Sequence, residues 1–261
     1  MRLSFLCAAI VMALSFLGET RADWNSTIAA SNPLNWYQFN ELSGSVAVDH
    51  GSQHLDGTYG TGSQDATRGV VGLVGTAARF GDQSSVFLHA SDVVGNWSAE
   101  FVLMRTGSKQ SSVLIRGVPF AFPTEALKLE QYQNTEQFGF TQYGVSDYLF
   151  SPSVPTPLNQ WIDVVYVNRS GVGLSLYLNG VLAGNSSIGI NLPRDQFGSY
   201  ADTVPESPLA IMDEAVLYDR ALSSAEVASH FAATPEPSTL ALAALGFIGL
   251  VSWGWNKHRS S

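Results

Sequence analysis

The sequence predicts an all-β sandwich or jelly roll. Three observations carry this: many short β-rich runs divided by turn residues, an Asn-Gly hairpin signal, and a single convincing helix signal. The chain has 261 residues, 45% hydrophobic and 11% aromatic, so core material is plentiful. Only 13% are charged, about half of the ~25% usual in globular domains. Acidic residues outnumber basic ones 22 to 13, for a net charge of −9, the opposite of the basic face that a nucleic-acid partner demands. One cysteine excludes a disulfide scaffold and a Cys-rich zinc module.

The elements follow in chain order. Residues 1–22 open with Arg2, run apolar from Leu3 to Leu17, and end on Thr20-Arg21-Ala22. That is a secretory signal peptide cleaved between Ala22 and Asp23, and the run is shorter than the ~20 residues of a spanning helix. Cys7 lies inside it, so the mature chain holds no cysteine. The folded region, 23–234, has a net charge near −11, which suits solubility and repels polyanions.

Within it, strands are expected at 34–39, 77–80, 86–88, 98–105, 112–116, 126–132, 137–143, 161–168, 174–178 and 210–218. Along 161–168 both alternating sets are largely apolar, Ile162, Val164 and Tyr166 against Val165 and Val167, which predicts a central strand. Asn179-Gly180 after Leu174–Leu178 tolerates the positive φ of a type I′ turn. Ser223 with Glu226 three residues on forms a capping box, and Val227 and Phe231 pair at i, i+4, so a helix follows. Pro152, Pro155 and Pro157 predict an irregular rim loop.

After 234 comes Pro235-Glu236-Pro237, an apolar stretch over 240–255 and a basic tail, 256–261. Sixteen helical residues reach roughly 24 Å, a little short of a ~30 Å hydrocarbon core. Trp253 and Trp255 would lie at the interface and Lys257, His258 and Arg259 in the cytoplasm, so 240–255 reads as a transmembrane helix. This three-part end over 235–261 resembles the PEP-CTERM sorting signal of exopolysaccharide-producing Gram-negative bacteria. The resemblance implies export across the inner membrane, anchoring through the helix, and an exosortase as the partner that processes the tail. The protein would then reach the cell surface or extracellular matrix. A plain membrane anchor with a proline linker is the alternative.

The folded region resembles a laminin-G-like (concanavalin A-like) jelly roll. The residues that carry this are Asn35–Glu41, Asp56–Tyr59, Trp97–Phe101, Gln160–Tyr166, Leu176–Gly180 and Met212–Ser223, in family order. The resemblance implies a rim calcium ion, with Asp49 and Asp213 as the positions offered. The Asp-Ser-Ser-Gly stretch usual in the family is Asp49-His50-Gly51-Ser52 here. Both aspartates serve equally well as acceptors for loop N–H groups.

Enzymatic activity is not expected. Sandwich glucanases resembling this fold place carboxylates in alternation along one strand, whereas Glu125 and Glu130 are five apart and Asp213 and Glu214 are adjacent. His50 and His54 lie in a Gly-flanked loop that does not favour a helical metal pair. Trp36, Trp97 and Trp161 fall in expected strands and are assigned to the core, which leaves Tyr132, Tyr143 and Tyr148 as candidates for stacking on a sugar. The reading is an exported, non-enzymatic surface or matrix protein in adhesion or binding of exopolysaccharide or a surface glycan. A structural or protein-interaction module is the alternative, and a polysaccharide hydrolase a distant third.

Overall fold

The computed structural model describes residues 24–234, apart from 74, 120, 122, 135 and 200–204. The signal peptide, the Ala22–Asp23 cleavage point, the Pro235-Glu236-Pro237 motif, the 240–255 helix and the basic tail lie outside the described residues. Among the described residues no helix is long and apolar enough to cross a membrane.

The elements in order are α1 (Trp24–Ala30), β1 (Asn35–Tyr37), β2 (Val46–Ala47), β3 (Gly57–Tyr59), β4 (Thr67–Val71), β5 (Thr76–Phe80), β6 (Ser85–Phe87), β7 (Trp97–Arg105) and β8 (Ser112–Arg116). They continue with β9 (Thr124–Glu130), β10 (Gly139–Tyr143), β11 (Ser146–Leu149), β12 (Trp161–Arg169), β13 (Gly173–Leu178), β14 (Val181–Ser186), β15 (Gln196–Gly198), β16 (Ala210–Tyr218) and α2 (Ser224–Ala233). Two eight-stranded antiparallel sheets pack face to face in a jelly-roll sandwich. The back sheet runs β14-β13-β12-β7-β16-β5-β4, with β1 also on β16; the front sheet runs β11-β10-β9-β8-β15-β6-β3-β2.

The core lies between the sheets. Tyr37, Phe39, Phe101 and Phe197 meet there, Phe197 edge-on to the other three at centroid distances of 5.2, 5.6 and 6.4 Å. Trp97 is fully buried and donates from its indole nitrogen to the Ile190 carbonyl at 2.8 Å. A second apolar cluster covers the outer face of the back sheet: Trp24 and Ile28 from α1 and Val227 from α2 pack on Trp36, Val102, Val165, Val167 and Val216. This explains the two apolar faces of β12. Ile162, Val164 and Tyr166 point to the core, Val165 and Val167 to the helix layer.

Local signals translate directly where they were strong. Asn179 (φ 49°) and Gly180 (φ 79°) turn the β13–β14 hairpin, and the Asn179 side chain accepts from the Asp163 backbone N–H at 3.0 Å. Ser223 and Glu226 form the expected capping box at the start of α2. One expectation is corrected. A second helix, α1, follows the expected cleavage point, held because Trp24 and Ile28 share one face and both are buried against the sheet.

Candidate functional site

Strand alternation decides which front-sheet side chains point away from the core. Val86, Phe197, Leu127 and Phe140 face the core, so their neighbours along each strand face outward. Ladder register then lines up one outward row across seven strands: Thr58, Phe87, Gln196, Arg116, Ala126, Thr141 and Asp147. No helix covers this face among the described residues, and two open grooves lie along it.

The larger groove has a volume of about 600 Å³ and is lined by Phe87, His89, Asp92, Pro119, Asp195 and Gln196 among others. The rings of Phe87 and His89 are stacked, with centroids 5.5 Å apart and planes 13° from parallel. His89 holds the left-handed backbone (φ 50°) and its Nδ1 lies 3.1 Å from Asp195 Oδ1, while its side chain is 72% exposed. Gln196 is 1% exposed, yet neither Oε1 nor Nε2 has a hydrogen-bond partner. Such an amide is costly to bury unless something else completes it. Burial pushes the Asp92 carboxyl up, against a 3.4 Å hydrogen bond from the Arg194 backbone N–H and the nearby guanidinium. Glu125 is raised as well, by burial first and by the charge on Asp92 second.

The second groove, about 370 Å³, is lined by Lys128, Tyr132, Tyr143, Asp147 and Glu206 among others. Its charges are paired. Lys128 is 1% exposed and donates to Glu206 Oε1 at 2.9 Å and Ser111 Oγ at 2.8 Å; Tyr143 donates to Glu206 Oε2 at 2.7 Å. The Arg116 guanidinium lies 4.7 Å from the Tyr143 ring centroid. Burial would raise Glu206, but Lys128, Ser111 and Tyr143 together hold it below the usual range. Burial lowers Lys128.

The expected site residues separate. Tyr132 and Tyr143 share the second groove. Tyr148 does not join them: it pairs in register with Phe140 and stacks on that ring at 5.0 Å, on the core side of the sheet. Asp49 is 3% exposed and accepts four hydrogen bonds, from the N–H groups of Trp36, Gly51 and Leu55 and the amide of Asn35, all at 2.7–2.8 Å. Four donors match the lone-pair capacity of a carboxylate, so this donor set fits loop N–H groups and not a calcium ion. Asp213 sits at a bulge in β16, where its Oδ2 accepts from the Leu73 N–H at 2.6 Å. A Cβ at Gly72 would lie 2.9 Å from that oxygen, so only glycine lets the loop approach. Among the described residues no three His, Cys, Asp or Glu side chains are grouped to hold a metal.

The residues that matter most here, His89, Asp92, Asp195 and Gln196, are absent from the sequence-derived candidates. β6 and β15 pair antiparallel and bring residues 87 and 196 side by side from over a hundred positions apart. The one available signal was Phe87, which alternation along the expected 86–88 strand turns outward once Val86 is assigned inward.

A family model described as the concanavalin A-like lectin/glucanases superfamily matches residues 80–228, and one for the PEP-CTERM protein-sorting motif matches 233–257. A search of the curated proteins finds no match. Among solved structures, domain 4 of AbnA, a GH43 extracellular arabinanase from Geobacillus stearothermophilus in complex with arabinotriose, is 18% identical with a TM-score of 0.57. The alignment covers 76% of this chain and 98% of that one. A Trypanosoma rangeli sialidase in complex with a difluoro-KDN is 16% identical with a TM-score of 0.54, over 80% of this chain and 33% of that one. The binding domain of Paraclostridial Mosquitocidal Protein 1 is 13% identical with a TM-score of 0.53, over 77% of this chain and 52% of that one. The chain thus spans about a third of the sialidase. At these identities the likeness is one of fold.

Proposed function

The chain belongs to the concanavalin A-like lectin/glucanases superfamily and carries a sorting motif that marks it for export, and from that premise we propose a non-catalytic surface or matrix protein that binds polysaccharide through the outer face of its front sheet. The observation that carries this is the larger groove. It offers a stacked Phe87–His89 pair for an apolar sugar face, beside the Gln196 amide, which lines the groove and has no hydrogen-bond partner among the described residues. Support comes from the arabinotriose-bound domain that this fold matches over nearly its whole length. The tail would be processed by an exosortase, moving the protein from an anchored form to the surface or matrix.

The test is binding of the full-length protein, in detergent, to the exopolysaccharide of its producing cell, in calcium and in chelator. Binding is expected in both buffers, since the Asp49 carboxylate is committed to N–H donors. Phe87→Ala should weaken it at least about tenfold, or ~1.4 kcal/mol. Binding only in calcium would restore the Asp49 and Asp213 site. No binding in either buffer would favour a structural or protein-interaction module, and release of reducing ends would make the protein a hydrolase.

A further inference from the structure

The larger groove has a one-sided charge pattern. Asp92 and Asp195 line it, and the neighbouring guanidinium groups make their hydrogen bonds elsewhere, although the Arg194 charge also acts on Asp92. Arg194 donates from Nε to the Ser91 carbonyl at 2.9 Å and from Nη1 to Asn35 and Gln53 at 2.9 and 2.7 Å. Arg116, beside Gln196 in the outward row, donates to the Gly117 carbonyl and Ser199 and lies over the Tyr143 ring of the other groove. His89 is the one lining side chain able to become cationic, and its Nδ1 already faces Asp195. Gln196 adds a buried donor and a buried acceptor that no described residue completes.

We infer that this groove selects a glycan with free amino groups, a de-N-acetylated hexosamine chain, with the ring on Phe87 and His89, hydroxyls on Gln196 and an ammonium against Asp92. The inference rests on the sugar-binding reading above and adds the class of sugar. Asp92 lies exposed at the groove, where its carboxylate can pair with a cation that enters with the ligand. A uronate chain would bring a like charge to Asp92 and Asp195 and be rejected. A lysine-bearing peptide would satisfy the charge without a flat ring for the aromatic pair or hydroxyls for Gln196.

The experiment is calorimetric titration of the full-length protein, at mildly acidic pH, with glucosamine and N-acetylglucosamine oligomers of matched length, an oligogalacturonate and a short oligolysine. The glucosamine oligomer should bind at least about tenfold tighter than its acetylated counterpart, with the uronate and oligolysine weakest. High salt should shrink the difference without touching the fold. Asp92→Asn should bring both sugars to the acetylated level, whereas Asp82→Asn, at an exposed carboxylate outside the groove, should leave the difference intact. Equal affinity for the two sugars would overturn the inference while leaving sugar binding in place. An equal loss from Asp82→Asn, or oligolysine binding as tight as glucosamine, would overturn it too. If no sugar and no exopolysaccharide binds, the sugar-binding reading itself has failed.

Discussion

The two outer faces of the sandwich bury charge in opposite ways. On the back sheet, Glu100, Asp163 and Glu214 lie beneath α1 and α2, each at most 2% exposed. Their partners there are neutral or titratable: His230 Nδ1 lies 2.8 Å from Glu100 Oε2, Trp36 donates to Glu214 at 2.6 Å, and Asp163 has no hydrogen bond to either oxygen. On the front sheet and its rim the buried acids meet full cations, Glu130 with Arg105 and Glu206 with Lys128. Burial raises the Asp163 and Glu214 carboxyls beneath the two helices. Glu206, by contrast, is held below its usual range by Lys128, Ser111 and Tyr143.

The contrast is sharpest at Arg105, which spans the sandwich from the end of β7 in the back sheet to β9 in the front. Its Nη1 donates to Glu130 at 2.6 Å, and Glu130 also accepts from Ser108, Ser112 and the Lys109 N–H. Arg105→Ala leaves the fully buried Glu130 without its cation, and denaturant unfolding should show a loss of about 3–5 kcal/mol. A loss under about 1 kcal/mol would mean that those three donors suffice for Glu130.

Asp163 tests the other side. Burial first, and Glu100 second, raise its carboxyl well above the ordinary 3.8, and burial raises Glu214 well above 4.5. The folded state therefore holds these protons more tightly than the unfolded chain. The stability they contribute is fully present below those ordinary values and is lost as pH rises through the folded ones. Wild-type stability should therefore fall as pH rises above the ordinary carboxylate range, and Asp163→Asn should flatten that slope. A variant with an unchanged slope would show that Asp163 is not the titrating group.

The lid itself gives the smallest effect. Ser223→Ala removes the hydroxyl that accepts from the Glu226 N–H, and should cost about 1 kcal/mol in thermal or denaturant unfolding. The Ser223 backbone N–H is the main cause that holds Glu226 down to about 2, so the box contributes fully above 4.5 and is lost as pH falls from 4.5 through about 2. No measurable loss would mean that Val227, packed on the sheet, holds α2 without its cap.

How much of this was legible in the sequence follows the same division. The long strands, the Asn179-Gly180 turn and the Ser223–Glu226 box depend on neighbours in sequence and were readable. Strands β2, β3 and β15 have two or three residues, too few to show a period, and α1 shows only Trp24 and Ile28 on one face. Tyr132, Tyr143 and Tyr148 were singled out only because they lie outside the segments that carry the family resemblance. Tyr148 was misleading because its face depends on the β10–β11 register, which no local pattern specifies. The larger groove was illegible for that reason too: it exists only once β15 is laid beside β6.

Both ends of the described chain belong to one side of the molecule. Helix α1 begins at Trp24, α2 ends at Ala233, and the two touch through Ser31 and His230 at 2.7 Å. The grooves lie on the opposite side, beyond both sheets, whose spacing in a sandwich is roughly 10 Å. A chain that continues past Thr234 leaves from the helix-covered side, opposite the grooves. Neighbouring copies rooted in one surface would face the same way, like a pavement of identical shallow cups.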